Sequence, residues 1–239
     1  MKAVGIILAG GSNNRMGELS KKRAIPAMPV GGSFRCIDFA LSNMSNSHVQ
    51  TVAVLTQYNA RSLNEHLSSS KWWDFGRKQG GMYLFTPTVT AENSDWYRGT
   101  ADALYQNLTF LKNSHEPYVV IAAGDGIYKL DYNKVLEYHI AKRADITVVC
   151  TTCPDPSEVE RFGVLRMNED CRIEEFEEKP MNRRRKFYRK QRKLRTKPSG
   201  ISTRQVPEQI SGSLRKSVRR YGIKSVRTTI IFLSRLIKI

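Results

Sequence analysis

The sequence predicts an α/β fold, a parallel sheet between two layers of helices, on three observations. Apolar runs recur at Val4–Leu8, Thr51–Thr56, Tyr118–Ala123 and Ile146–Thr151. Each is continuous rather than alternating, as strands buried on both faces read. Helical stretches fall between and after them, at Ser62–Leu67, Ala101–Leu111 and Tyr132–Arg143, the last with apolar positions at Val135, Leu136, Tyr138 and Ile140. Repeated β-α units of this length build a three-layer α/β/α sandwich with right-handed crossovers, and such sheets take ligands at the carboxyl ends of their strands.

The first strand opens directly into Ala9-Gly-Gly-Ser-Asn-Asn-Arg15. Glycines let main-chain N–H groups approach an anion, and Arg15 adds a fixed positive charge with several donors. Taken alone, Gly-Gly after a strand is equally an ordinary tight turn. The second strand runs into Gln57-Tyr58. Trp96-Tyr-Arg-Gly-Thr-Ala-Asp-Ala103 then places aromatics and a Gly-Thr turn before a helix, a turn that suits either a base or sugar or a simple helix cap. The third strand ends at Gly124-Asp125, where a carboxylate faces the ligand crevice. Its two local readings are a turn aspartate and a ligand for a hard cation such as Mg²⁺. Ile173-Glu-Glu-Phe-Glu-Glu-Lys-Pro180 reads as a strand tipped by Lys179, and on local grounds as a solvated edge.

At 239 residues and 40% hydrophobic content the chain has an ordinary globular composition. No apolar run approaches the roughly 20 residues of a membrane helix, and only a short apolar stretch follows Lys2 before the glycine loop, so a cytoplasmic protein is expected. The formal charge of +17 suggests nucleic acid until it is divided by position. Residues 1–180 carry 20 Lys+Arg against 21 Asp+Glu, whereas residues 181–239 carry 19 against the single Glu208. The charge therefore describes the last 59 residues and not the domain before them. Residues 182–197 have no hydrophobic period and should stay open through self-repulsion, while Thr228–Ile239 is apolar enough to seek cover.

The four cysteines (Cys36, Cys150, Cys153, Cys171) are too scattered for a disulfide framework. Cys150 and Cys153 have C-x-x-C spacing but lack a second ligand pair and a following helix, which argues against a zinc or redox centre. His48, His66, His115 and His139 show no ligand spacing. G-x-S-x-G, H-E-x-x-H and Walker lysine motifs are absent, which removes serine-hydrolase, zincin and P-loop chemistry.

In order along residues 1–180, Leu8-Ala-Gly-Gly-Ser-Asn-Asn-Arg-Met16, Lys22-Arg-Ala-Ile-Pro-Ala-Met-Pro29, Gly31-Gly-Ser-Phe-Arg-Cys-Ile-Asp38, Leu41-Ser-Asn43, Trp96–Ala103, Gly124-Asp-Gly-Ile-Tyr-Lys129, Phe162-Gly-Val164 and Glu177-Glu-Lys-Pro180 resemble the bacterial ADP-glucose pyrophosphorylases. These are glucose-1-phosphate adenylyltransferases of the sugar-phosphate nucleotidyltransferase superfamily. The resemblance implies a Rossmann-like, GT-A-like domain and a reaction of glycogen biosynthesis, ATP plus α-D-glucose 1-phosphate giving ADP-glucose and diphosphate with Mg²⁺. It implies nucleotide binding by Leu8, Ala9, Gly10, Gly11, Arg15, Gln57, Gly99, Thr100 and Ala101, and sugar-phosphate binding by Tyr97, Gly163, Glu178 and Lys179. Arg15, Asp125 and Lys179 would be catalytic, with Asp125 on the metal.

The chain also departs from the family pattern. Asn13 stands where active members have a third glycine, Ile25 where they have a lysine, and Gly126 where they usually have histidine. Loss of the lysine removes a charge-assisted contact to phosphate, a change that can cost roughly 3 kcal/mol, or a hundredfold in rate, by analogy with lost oxyanion donors. Lys21, Lys22 and Arg23 can compensate in part. The alternative expectation is a regulatory, weakly catalytic subunit that pairs with an active paralogue in a hetero-oligomer, a tetramer in the family. After Pro180 the resemblance stops, leaving a domain of residues 1–180 that is incomplete, a basic tail of residues 181–239, and no counterpart of the family's C-terminal β-helix. A frameshift or truncation is the preferred origin of the tail, since successive GAA codons read one base earlier become AGA, arginine. A genuine extension that binds nucleic acid through phosphate contacts is the other.

Overall fold

The computed structural model describes residues 2–11, 16–68, 70–76, 80–88, 95–152, 163–178, 201–204, 229–233 and 236–238. The chain divides into two compact units, Met1–Asn133 and Lys134–Ile239.

The first unit is built on four parallel strands. In chain order its elements are β1 (Ala3–Leu8), α1 (Glu18–Lys22), a 3-10 turn (Ile25–Ala27), β2 (Pro29–Val30), β3 (Phe34–Arg35), α2 (Cys36–Asn46), β4 (Thr51–Leu55), α3 (Arg61–Leu67), a second 3-10 turn (Ser70–Trp73), β5 (Gly81–Phe85), α4 (Thr100–Gln106), α5 (Leu108–Asn113) and β6 (Tyr118–Ala123). The spatial order is β6-β1-β4-β5. β1 pairs with β4 from Val4 opposite Thr51 to Leu8 opposite Leu55, and with β6 from Ala3 opposite Tyr118 to Leu8 opposite Ala123. Val4, Ile6, Ile7, Val52, Ala53, Val54, Val120 and Ala122 are all buried, which is why these runs show no polar alternation. The chain steps outward from β1 to β4 and β5, then returns to β6 on the other side of β1. That reversal makes the carboxyl ends of β1 and β6 the switch point of the sheet, where crevices open.

α2 packs onto β1 through Gly5, where a Cβ would come within 2.9 Å of the Met44 sulfur. Its first turn is held by Asp38, which accepts from the Arg35 N–H at 2.9 Å and pairs with His66 Nε2 at 2.7 Å. The Arg35 guanidinium donates to Ser62 at the start of α3, so both helices are tied at one end. The β2–β3 hairpin turns on Gly31 and Gly32, with φ of 60° and 97°, backbone angles that favour glycine. The single helix predicted over Ala101–Leu111 is two, broken at Asn107. The Asn107 side chain donates to the Ala103 carbonyl and the Tyr97 hydroxyl, and competes with the helical ladder there.

α6 (Tyr132–Ala141) crosses from the first unit into the second, which continues with β7 (Ile146–Val149), β8 (Thr151–Thr152), β9 (Gly163–Met167), β10 (Ile173–Glu178), β11 (Ile201–Arg204), β12 (Thr229–Leu233) and β13 (Leu236–Lys238). β7 lies between antiparallel β11 and parallel β12. β9 pairs antiparallel with β10 and parallel with β13, which also pairs with β8. The predicted run Ile146–Thr151 is thus split between two sheets after Val149. Val148, Cys150, Leu165 and Ile173 form a small core. β12 and β13 both lie in the apolar segment Thr228–Ile239, whereas residues 182–197 and Cys153 fall outside the described residues.

Candidate functional site

The backbone leaving β1 is pinned before it becomes a loop. Ala9 N–H donates to Leu55 O at 2.9 Å, and Gly124 N–H donates to Leu8 O at the same distance. Leu8 is half-buried and Ala9 buried, so both shape the loop from below. A Cβ on Gly10 would stand 3.1 Å from the Gln57 Cβ and 3.4 Å from the Gln57 nitrogen, whereas a Cβ on Gly11 would meet nothing within 4 Å. The two glycines therefore do different work: Gly10 admits Gln57 against the strand end, and Gly11 presents bare backbone to open space.

Gln57 reaches a segment forty residues further on. The Tyr97 N–H donates to Gln57 Oε1 at 2.8 Å, and Gln57 Nε2 donates to Tyr97 O at 3.4 Å. The side-chain amide thus stands in for a neighbouring strand and satisfies both main-chain groups of Tyr97. Burial pushes the Tyr97 phenol above its usual range; the Asn107 hydrogen bond opposes this and the Asp102 charge adds to it. Asp102 accepts from the Arg98 N–H at 2.9 Å and from Gln106 at 3.0 Å, fixing the first turn of α4. Gly99 has extended backbone (φ 162°), and a Cβ there would meet nothing within 4 Å. Thr100 and Ala101 follow it, exposed.

Gly124 is wedged at the switch point, where a Cβ would come within 3.3 Å of Ile7, Leu8 and Pro26. Pro26 belongs to the 3-10 turn Ile25–Ala27, so the turn bearing half-buried Ile25 lies against the end of β6. Asp125 follows, half-buried in the turn. Its charge is felt by two neighbours. The Cys36 thiol, at the start of α2, is pushed up by burial, then by Asp125, with Asp38 adding less and its own backbone hydrogen bond opposing. The Tyr128 phenol is pushed up by burial and, more weakly, by Asp125.

Among the described residues there is no group of three or more His, Cys, Asp or Glu that could hold a metal ion. The Asp125 carboxylate beside the bare glycine loop fits Mg²⁺, which keeps several waters and needs only one or two protein carboxylates when phosphates supply its other ligands. Gly163 and Glu178 are brought opposite each other as the end pair of β9 and β10. Asn13, Arg15 and Lys179 lie outside the described residues.

The structure thus gathers Leu8, Ala9, Gly10, Gly11, Gln57 and Tyr97 with Asp125 around the carboxyl ends of β1, β4 and β6 in the first unit. Pro26, Asn43 and Ser47 also support these loops. Pro26 and Asn43 fall within motifs that resemble the family, without any sign of what they hold, and Ser47 carries no signal in the sequence.

A family model described as nucleotidyl transferase matches residues 4–192. The chain is 49% identical over 177 residues to the glucose-1-phosphate adenylyltransferase of Clostridium perfringens (strain 13 / Type A), covering 74% of this chain and 45% of that protein. It is 47% identical over 178 residues to the same-named protein of Clostridium kluyveri (74% and 46% covered), and 46% identical over 177 residues to that of Bacillus cytotoxicus (74% and 47% covered). The chain spans less than half the length of these curated relatives. With a parallel sheet, a bare glycine loop and an aspartate at its switch point, and a family model matched over most of its length, this chain belongs to the nucleotidyl transferase family.

Proposed function

We propose that this chain carries the substrate-facing part of a glucose-1-phosphate adenylyltransferase, converting ATP and α-D-glucose 1-phosphate to ADP-glucose and diphosphate. The observation that carries the reading is the 46–49% identity to proteins of that name. The conjunction of open Gly11, the Gln57–Tyr97 clamp and Asp125 at one switch point supports it. A phosphate oxygen of glucose 1-phosphate attacks the α-phosphorus of ATP; a new P–O bond forms, the bond to the β-phosphate oxygen breaks, and diphosphate leaves. Little covalent chemistry falls to the protein in such a displacement, which must align two polyanions and screen their repulsion.

In this reading the main-chain N–H groups around Gly10 and Gly11 and the guanidinium of Arg15 hold the triphosphate. Gly99, Thr100 and Ala101 line the nucleotide side beyond the Gln57 clamp. The residues this reading assigns to the sugar phosphate are Tyr97 of the first unit and Gly163, Glu178 and Lys179 of the second, with Lys179 as counter-ion. Asp125 would hold Mg²⁺, which supplies charge neutralisation on the phosphates. Among the described residues no helix is long and apolar enough to cross a membrane, in keeping with a reaction between dissolved metabolites.

The test is diphosphate release from ATP plus glucose 1-phosphate, by the chain alone and mixed with an intact adenylyltransferase subunit, with ADP-glucose identified as product. Turnover that needs both substrates and falls at least a hundredfold in Asp125→Asn supports the reading. A folded chain that neither turns over nor binds ATP, alone or mixed, rejects it. Ile25→Lys returns a cation to the turn beside Gly124 and should raise turnover by up to about a hundredfold.

A further inference from the structure

The loop between β6 and α6 carries Asp125, and its far half is held by a helix to which the functional reading gives no part. Asn43 of α2 is 5% exposed. Its Nδ2 donates to the Tyr128 carbonyl at 2.9 Å, and its Oδ1 accepts from the Leu130 N–H at 3.1 Å. Ser47, where α2 ends, is also buried, and its hydroxyl accepts from the Tyr132 N–H at 2.8 Å, at the first residue of α6. The Tyr128 carbonyl and the Leu130 and Tyr132 N–H groups are therefore satisfied by side chains of α2 and its C-cap. Buried backbone groups need partners, so the loop's path is set by where α2 places these side chains.

The same side chains carry the constraint back toward Asp125. The hydroxyls of Tyr128 and fully buried Tyr132 hydrogen-bond at 3.1 Å. With both ends fixed, the Tyr128 ring lies over Gly126, where a Cβ would stand only 2.7 Å from the ring's Cε1. Gly126 in turn donates its N–H to Ala123 O at 3.4 Å, closing the turn around Asp125. The path runs from Asn43 through Tyr128 to Gly126, the residue after Asp125. α2 is itself a firm base, packed on β1 through Gly5 and tied by Asp38 to Arg35 and His66.

We propose that Asn43 is a positioning residue, a buried latch on α2 that sets the Asp125 turn in the geometry that receives a divalent cation with its nucleotide phosphates. This rests on the reading of Asp125 as the metal-facing carboxylate. A site on a loop is as exact as the shell that supports it, and here that shell centres on one amide that donates to the Tyr128 carbonyl and accepts from the Leu130 N–H in the loop's far half. Aspartate at 43 has the same shape but cannot donate to the Tyr128 carbonyl when ionised, so Asn43→Asp tests the hydrogen bond apart from packing.

The experiment uses the full chain and its Asn43→Asp, Asn43→Ala and Thr147→Val variants. The last is a buried polar change in the second unit, where Thr147 bonds His139. Hydrogen exchange is followed in residues 124–131 and 51–55, and Mn²⁺ binding in the presence of ATP is followed by electron paramagnetic resonance. Both Asn43 variants should speed exchange in 124–131 about tenfold or more, leave 51–55 unchanged, and raise the Mn²⁺ half-saturation about tenfold. Thr147→Val should lower the melting temperature and do neither. Equal loosening of both segments, unchanged exchange at 124–131, or unchanged Mn²⁺ half-saturation in a loosened loop would each overturn the proposal. If the parent chain binds no Mn²⁺–ATP, the functional reading fails by itself, and the exchange measurement alone decides whether Asn43 sets the Asp125 turn.

Discussion

Alanine at Gly10 and alanine at Gly11 should have opposite effects on stability, although the two residues are adjacent. At Gly10 the new methyl would sit 3.1 Å from the Gln57 Cβ, 3.4 Å from its nitrogen and 3.7 Å from Leu55 O. The strand end cannot back away without breaking the 2.9 Å bond from Ala9 N–H to Leu55 O, and Gln57 cannot move without pulling on Tyr97. Overpacking costs about 1–3 kcal/mol, and a contact short by only a few tenths of an ångström belongs in the lower half of that range, about 1–2 kcal/mol. At Gly11 there is no such contact. Both variants gain the same ~0.4–1 kcal/mol from a less flexible unfolded chain, so that gain cancels between them. Gly11→Ala should therefore melt higher than Gly10→Ala by about 2–8 °C, at roughly 2–4 °C per kcal/mol for a chain of this size. Nucleotide binding should separate from stability: Gly11→Ala keeps its fold yet binds Mg·ATP about tenfold more weakly, some 1.4 kcal/mol, because the methyl enters the space the phosphates need. Thermal melts and titration calorimetry on the two variants read both quantities. Gly11→Ala melting at or below Gly10→Ala, or binding ATP as tightly as the parent, would refute the division of labour between the two glycines.

Truncating Leu136, fully buried on α6, to alanine should cost about 2–5 kcal/mol by chemical denaturation. Gln57→Glu keeps the acceptor for the Tyr97 N–H but sets a carboxylate oxygen against the Tyr97 carbonyl, so proteolysis within 95–107 should quicken while the sheet stays protected. Burial holds the His139 imidazole below its usual range, partly offset by Asp145. A depressed folded-state value contributes stability above about pH 6.5 that is lost as the pH falls through the folded value, and His139→Gln should flatten that acid limb of a denaturation series. Burial, joined by Tyr128, drives the Tyr132 phenol far up. Its contribution is complete below about pH 10 and is lost as the pH rises beyond it, so Tyr132→Phe should blunt alkaline unfolding. Asp125→Asn removes one of the charges that raise the Cys36 thiol and should speed its alkylation near pH 8.5.

The strands of the first unit are legible because burial on both faces leaves β1, β4 and β6 as unbroken apolar runs, and the glycine loop and Asp125 are legible because they directly follow such runs. β5 is not, since its burial is only partial, with Tyr83 and Leu84 exposed. α2 is hidden for a different reason. It buries Asp38 and Asn43 beside Ile37, Leu41 and Met44, so polar residues that serve tertiary hydrogen bonds interrupt the apolar stripe that would announce a helix. The break at Asn107 depends on Tyr97, ten residues away, and the Gln57–Tyr97 clamp spans forty. No local periodicity encodes either.

β1 lies at the centre of the four strands, yet its two neighbours come from residues 51–55 and 118–123. Each register requires closing a long stretch of chain before any pairing energy is returned, which places this sheet among the slower topologies to assemble. During synthesis β1 and β4 can meet as a pair, but the Leu8 carbonyl waits for the Gly124 N–H that caps it, more than a hundred residues later. A nascent chain stalled before Ala123 would expose one whole edge of β1, an apolar strand open to foreign pairing. The strand that leads into the Gly10–Gly11 loop thus depends on prompt elongation or on a chaperone.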